Sequence, residues 1–266
     1  MGAGVLHAST AATRFTLARY PPPADLAPFV DFCWVIRWDL RGQPPYQQSI
    51  LPHPNVNLAF EAGGAAVYGV DTKIFTRRLS GAGKALGIRF RPGGFRPFYS
   101  RPVCTLNDCV IPASRVFGPA ADEACALAMS PAAGDAAMTG AAAGLLRRSW
   151  PACDPVAGQV AELVGRITRD QSLYRVAQLA EVSGLPARRL QRMFADYVGV
   201  SPKWVMRRAR LHEAALRAEA GGPASVDWAA LAADLGYADQ AHLTRDFTST
   251  IGVPPTRYAA GVPARP

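Results

Sequence analysis

One pattern occurs twice in the C-terminal part of the chain, and it restricts the fold more than any bulk property. Leu190, Arg192, Phe194, Gly199 and Pro202 spell L-x-R-x-F-x4-G-x2-P, and Leu243, Arg245, Phe247, Gly252 and Pro255 spell it again. The segment LAEVSGL (179–185) likewise matches LAADLGY (231–237). Agreement at this many positions marks a duplicated supersecondary unit, with one residue of slack in its turn.

Each copy has the same physical reading. Leu179-Ala180 and Leu231-Ala232 end a short helix, and the small alanine lets a second helix cross closely. Gly184 and Gly236 suit a left-handed helix terminus. A second helix then starts near Pro186 in one copy and at Asp239 in the other, both favourable first-turn residues. Helix, tight glycine turn, helix is the helix-turn-helix arrangement, although a plain helical hairpin has the same outline.

Helical periodicity separates the faces of the second helices. Leu190, Met193 and Phe194 lie together with Ala187 beside them, opposite Arg188, Gln191, Arg192 and Ala195, while Arg189 flanks that outer face. In the second copy Leu243 and Phe247 point inward. Ala241, Thr244, Arg245 and Thr248 point outward, with Gln240 and His242 at the margins. Acidic residues are nearly absent from both outer faces, whereas a merely solvated helix mixes both signs. Arg and Gln are the residue types that hydrogen-bond bidentately to guanine and adenine edges.

The connection SPKWVMRRARLHEAALRAEAGGP (201–223) opens with a serine cap and proline and closes on Gly221-Gly222-Pro223. A helix of about 18 residues spans ~27 Å. That length spaces the two units at a distance comparable with one DNA turn, ~34 Å.

These residues closely resemble the AraC/XylS family of bacterial transcription regulators. The matching segments are VAQLAEVSGLPARRLQRMFADYVGVSPKWVMRRARL (176–211) and WAALAADLGYADQAHLTRDFTSTIGVPPTRY (228–258). The resemblance implies an all-α domain of seven helices, in which a long helix joins two helix-turn-helix units. Carried over position by position, it makes Arg188, Gln191, Arg192, Gln240, Ala241 and Arg245 the base-contact candidates. Ala241 offers only an apolar contact, such as one with a thymine methyl. Arg189, at the margin, is assigned to phosphate or a surface ion pair, and Thr244 and Arg257 to phosphate. Double-stranded DNA is the expected partner, and RNA polymerase follows by the same resemblance.

The first hundred residues read as short strands between Gly/Pro turns. RFTLARY (14–20), FVDFCWVIRW (29–38), NVNLAF (55–60), AAVYGV (65–70) and ALGIRF (85–90) carry the signal. Even spacing suggests a barrel or sandwich. LPHPNVNLAF (51–60), VYGV (67–70) and LGIRFRPGGFRPFYSRPVCTLND (86–108) resemble a sensor domain present in some members of that family. The expectation is therefore an α+β chain of two domains: a small N-terminal β-barrel with helices, then the all-α domain. Residues 1–110 are the effector-sensing candidate and 111–155 a helical association region that serves a homodimer. Residues 156–259 form the DNA-binding domain and 260–266 a tail. Trp34, Trp38, His53, Asn55 and Arg89 are the effector-contact candidates, each with ordinary core or loop placement as the competing reading. RPGGF (91–95) is read as a turn ahead of anion binding at a helix N-terminus.

Composition narrows the alternatives. The net charge is +9 over 266 residues, with 15 basic and 10 acidic residues up to 155 and 14 and 10 beyond it. The excess is spread over both halves and locates no surface by itself. Cys33, Cys104, Cys109, Cys125 and Cys153 are odd in number and lack CxxC pairing, as incidental thiols of a reducing compartment would be. Neither a secretory leader nor a run of eighteen apolar residues is evident, so the cytoplasm is the expected compartment and no membrane partner is expected. Only His7, His53, His212 and His242 exist, and no HExxH, nucleophile elbow, P-loop or paired metal ligands accompany them. No cofactor or metal is expected, and an enzyme is disfavoured. The remaining alternative is an effector-independent DNA-binding or interaction module with a non-sensing N-terminal domain.

Overall fold

The computed structural model describes residues 4–152, 154–170, 172–221 and 226–261. Cys153, the Gly222-Pro223 end of the long connection and tail residues 262–266 lie outside them.

A single turn, α1 (Ala8–Ala11), precedes strands β1 (Thr16–Tyr20), β2 (Val30–Leu40), β3 (Tyr46–Ile50), β4 (Asn57–Glu61), β5 (Gly64–Tyr68), β6 (Phe75–Leu79), β7 (Gly81–Phe90) and β8 (Val110–Pro112). Six of them form an antiparallel sheet in the order β1-β2-β7-β4-β5-β8, and β3 pairs with β6 in a sheet of two. The expected barrel is therefore corrected to two open sheets facing one another. Closure would need ladder hydrogen bonds across the edges. Proline has no N–H to offer a ladder, and Pro21-Pro22-Pro23 follows edge strand β1 while Pro112 ends edge strand β8.

Side chains alternate across the larger sheet. Cys33, Val35, Leu58, Phe60, Leu86, Ile88 and Phe90 face one way into a continuous core. That core is completed by α2 (Ser114–Phe117), α3 (Ala120–Met129) and α4 (Asp135–Arg148), through Ala121, Ala124, Ala128, Met138, Ala142, Leu145 and Leu146. The run of alanines lets α3 and α4 lie close to the strands. Each fully buried Phe, Leu or Ile contributes ~1.5–3 kcal/mol relative to exposure. The opposite face of the sheet looks toward β3 and β6. There Trp34 lies over its cross-strand partner Gly87, where a Cβ would come within 2.1 Å of the indole. Only glycine fits beneath that ring.

Seven helices follow: α5 (Pro155–Arg169), α6 (Val176–Ser183), α7 (Ala187–Tyr197), α8 (Pro202–Gly221), α9 (Trp228–Asp234), α10 (Gln240–Ile251) and α11 (Pro255–Ala259). Asp154, Asp227 and Asp239 cap α5, α9 and α10 by accepting from backbone N–H groups. With 20 residues, α8 spans ~30 Å. No helix of the described residues is long and apolar enough to cross a membrane.

The strands and the helices share cores. Val70 is buried with residues of α5 to α8, and Leu6 and Leu51 with residues of α8 to α11. Arg208 Nη2 donates to the Thr72 carbonyl at 2.9 Å and Asn107 Nδ2 to the Gly199 carbonyl at 2.6 Å. The RPGGF segment forms a turn between these layers. A Cβ on Gly94 would meet the Phe29 carbonyl oxygen at 2.2 Å, and one on Gly93 the Ala157 carbonyl oxygen at 2.9 Å.

Candidate nucleic-acid interface and inter-sheet cavity

The sequence repeat is also a repeat of backbone conformation. Gly184 ends α6 at φ 67°, and Gly236 follows α9 at φ 69°. Gly199 and Gly252, the second glycines of each copy, have φ 96° and 90°. All four occupy the left-handed region that side chains disfavour. Phe194 and Phe247 are fully buried, as are Leu190 and Leu243, and Pro202 and Pro255 each begin the next helix from a buried position. The inward face of each second helix therefore anchors it to its own cluster, Leu190, Met193 and Phe194 in one and Leu243, Phe247 and Ile251 in the other.

The outward faces stay clear. Arg188, Arg189, Gln191 and Arg192 on α7 are exposed, as are Gln240, Ala241 and Arg245 on α10 and Arg257 on α11. Thr244 is half-buried. Among the described residues none of these five arginines forms an ion pair, Arg189 included. Ala187 is exposed, not beside the inward cluster: it is the first residue of α7, where the helix has not yet reached the core. The two outer faces thus present a field of free guanidinium and carboxamide groups held by buried apolar anchors.

Other arginines are structural, and composition alone did not separate them from the free ones. Arg207 pairs with Asp246, which also accepts from the Tyr237 hydroxyl at 2.7 Å, tying α8 to α10. Arg217 reaches Glu213 at 2.7 Å and Asp234 at 3.0 Å, tying α8 to α9. Arg208 is buried against the Trp204 ring at 4.5 Å, and burial pulls its guanidinium down to about 10. The signal available in the sequence was position: these three lie on the connecting helix, not on a second helix of the repeat.

A cavity of about 220 Å³ lies between the two sheets. Phe32, Trp34 and Ile36 of β2, Ile50 of β3, and Phe75 and Leu79 of β6 form apolar walls. Trp34, His53, Asn55 and Arg89 from the sequence candidates line it. Trp38 does not line it. Its indole donates to the Ser80 carbonyl at 3.1 Å and lies over Gly83, nearer the far end of the strand pair. Several lining groups were not singled out from sequence: Arg19, Glu61, Tyr68, Asp71 and Arg77. Strand alternation carries that signal once the sheet order is known, since Arg19, Phe32, Trp34, Asn57, Glu61 and Arg89 occupy alternate positions of their strands.

The polar groups of the cavity differ in how they are satisfied. Arg77 is paired with Glu61. Asn55 donates to the Phe90 carbonyl at 2.6 Å, while its carboxamide oxygen is buried without a partner. Burial, with Asp108 nearby, pushes the Asp71 carboxyl up to about 6. Burial pulls Arg89 down to about 10, so it stays charged at neutral pH. At the cavity rim the His53 ring stacks on His212 of α8. His212 is buried, and its Nε2 lies 3.1 Å from the Pro52 carbonyl oxygen.

A family model described as a helix-turn-helix domain matches residues 179–261, and one described as a domain of unknown function (DUF6597) matches residues 18–112. No curated protein matches. Among solved structures, the chain is similar to the C-terminal domain of AraT, a response regulator from Geobacillus stearothermophilus. The identity there is 22%, over 42% of this chain and 89% of that one, with a TM-score of 0.36. It is also similar to ToxT from Vibrio cholerae, at 10% identity over 92% of this chain and 98% of that one, with a TM-score of 0.43. For ToxT with an unsaturated fatty acid bound, the values are 10%, 95%, 98% and 0.41. With the duplicated helix-turn-helix unit inside the matched segment, residues 179–261 form a helix-turn-helix DNA-binding domain of the AraC type.

Proposed function

We propose that the chain reads a specific duplex DNA sequence by placing α7 and α10 in successive major grooves, and that a small effector held in the inter-sheet cavity adjusts this reading through α8. Residues 1–110 then act as the sensing part, 111–155 as helical association region, and 156–259 as DNA-binding domain. The observation that carries the reading is the repeated geometry: two buried-face anchors, each with an outer face of unpaired Arg and Gln. Arg188, Gln191, Arg192, Gln240, Ala241 and Arg245 take the base edges, and Arg189, Thr244 and Arg257 the phosphates. Pro52 and His53 support the effector half, since they border the cavity and also touch His212 in the helix joining the two units.

Selection of binding sites from random duplexes by the full chain tests the first half. The expected product is a site with two conserved blocks about one helical turn apart, 10–10.5 bp centre to centre. Recovery of no preferred sequence, with affinity that depends on salt alone, refutes specific reading.

A further inference from the structure

We propose that the inter-sheet cavity binds a compact organic monoanion, with its carboxylate on the Arg89 guanidinium and an aromatic or branched apolar body between Phe32, Trp34, Ile50 and Phe75. This rests on the effector half of the proposed function and names the class of effector.

Three observations lead to it. First, Arg89 is charged, largely buried and poorly satisfied. Its side chain is 18% exposed, and its Nε lies 3.4 Å from Asp31 without forming a hydrogen bond. The guanidinium makes no hydrogen bond to any described residue. Second, two guanidinium carbons lie over the Phe32 ring, Arg19 at 4.6 Å and Arg89 at 5.2 Å. A guanidinium held over a ring keeps its N–H groups, and their fork matches a carboxylate bidentately. Third, no nearby acid satisfies Arg89 with a hydrogen bond: Asp31 stays at 3.4 Å, and Asp71, which also lines the cavity, does not pair with it. Glu61 is paired with Arg77, and the charges that act on Arg89 are those of Asp31 and Arg19.

The alternatives fit less well. A cationic ligand would meet Arg19 and Arg89 together. A neutral apolar ligand would strip Arg89 of water and leave it only the long Asp31 contact at 3.4 Å, which is the costly way to bury a charge. Size sets the body of the ligand. A dry cavity of about 150 Å³ accepts benzene, so about 220 Å³ accepts on the order of ten non-hydrogen atoms.

The test uses the full chain with phenylacetate and phenylpropanoate, each beside its neutral amide. Melting temperature and calorimetric titration are the readouts. The carboxylates are expected to raise the melting temperature with concentration, and the amides not. Arg89→Gln is expected to weaken carboxylate binding roughly tenfold or more, and Arg89→Lys, which keeps the charge and loses the fork, by less. If Arg89→Gln does not fold, as judged by circular dichroism, the carboxylate–amide comparison on the unaltered chain decides. Equal binding of acid and amide overturns the proposal. So does undiminished binding by a folded Arg89→Gln protein, or the absence of any shift by either carboxylate at millimolar concentration. Site selection on the same preparation reads DNA binding independently, so failure at the cavity and failure of the regulator reading are told apart.

Discussion

The rings of His53 and His212 stack with centroids 3.8 Å apart and planes inclined by 13°. His53 belongs to the segment bordering the cavity, and His212 to α8, so this ring contact joins the β-sheet part to the helical part. Burial is the main cause that pulls His212 down to about 4, and the Arg208 and Arg89 charges add to it, against the Pro52 carbonyl.

The sign of the pH effect follows. Below its ordinary value of 6.5, His212 takes up a proton in the unfolded chain before it does so in the folded one. Stability from this residue is therefore complete above pH 6.5 and falls as pH drops toward about 4, a loss approaching ~3 kcal/mol. His212→Gln removes the titration. Urea unfolding near neutrality and in mild acid is expected to show a smaller acid loss in the variant than in the parent. Equal losses would place the acid sensitivity elsewhere.

Gly184 and Gly236 adopt the same left-handed turn but have different surroundings. A Cβ on Gly184 meets nothing within 4 Å, whereas one on Gly236 comes to 3.0 Å from the Tyr174 ring. Gly184→Ala is expected to cost ~1–2 kcal/mol, the backbone contribution alone. Gly236→Ala is expected to cost more, because the Tyr174 ring must also move. Thermal midpoints of the two variants check the order, and a reversed order contradicts it.

Leu190 and Phe194 carry the anchor of α7. Phe194→Ala is expected to destabilise by ~3–5 kcal/mol. Leu190→Asp, which buries a charge in the same cluster, is expected to unfold the first unit and not merely weaken DNA binding. Helical circular dichroism and melting behaviour retained in Leu190→Asp would defeat this assignment.

Arg192 and Arg189 separate base reading from phosphate contact. Arg192→Ala is expected to relax preference at one base pair, costing ~1–3 kcal/mol at the preferred base. Arg189→Ala is expected to weaken all sequences alike and to lower the slope of log affinity against log salt by ~1. Competition binding with single-base operator variants at two salt concentrations measures both, and a uniform loss for Arg192→Ala would move it to the phosphate class.

The helical half was legible in the sequence because its constraints are local. Gly184, Gly236, Asp239 and the Leu190/Phe194 spacing each dictate a nearby backbone or face. The β half was less legible because its constraints are long-range. Tyr46–Ile50 and Phe75–Leu79 were not read as strands, since their ladder joins two segments far apart in sequence. Trp34 and Trp38 look equivalent in FVDFCWVIRW and share a face of β2. Only the cross-strand pairs, Gly87 for one and Gly83 for the other, set one at the cavity and the other beyond it. Arg208 of α8 finds its hydrogen-bond acceptor in the carbonyl of Thr72, far away in sequence.

His212 lies at the middle of α8, with about ten residues on either side. On the proposed reading, a change in the hold of Pro52 and His53 on that point reaches α7 and α10 through a single helix. An operator bound in the proposed way would then gain or lose its two halves in step, its protected footprint vanishing whole instead of fraying from one side.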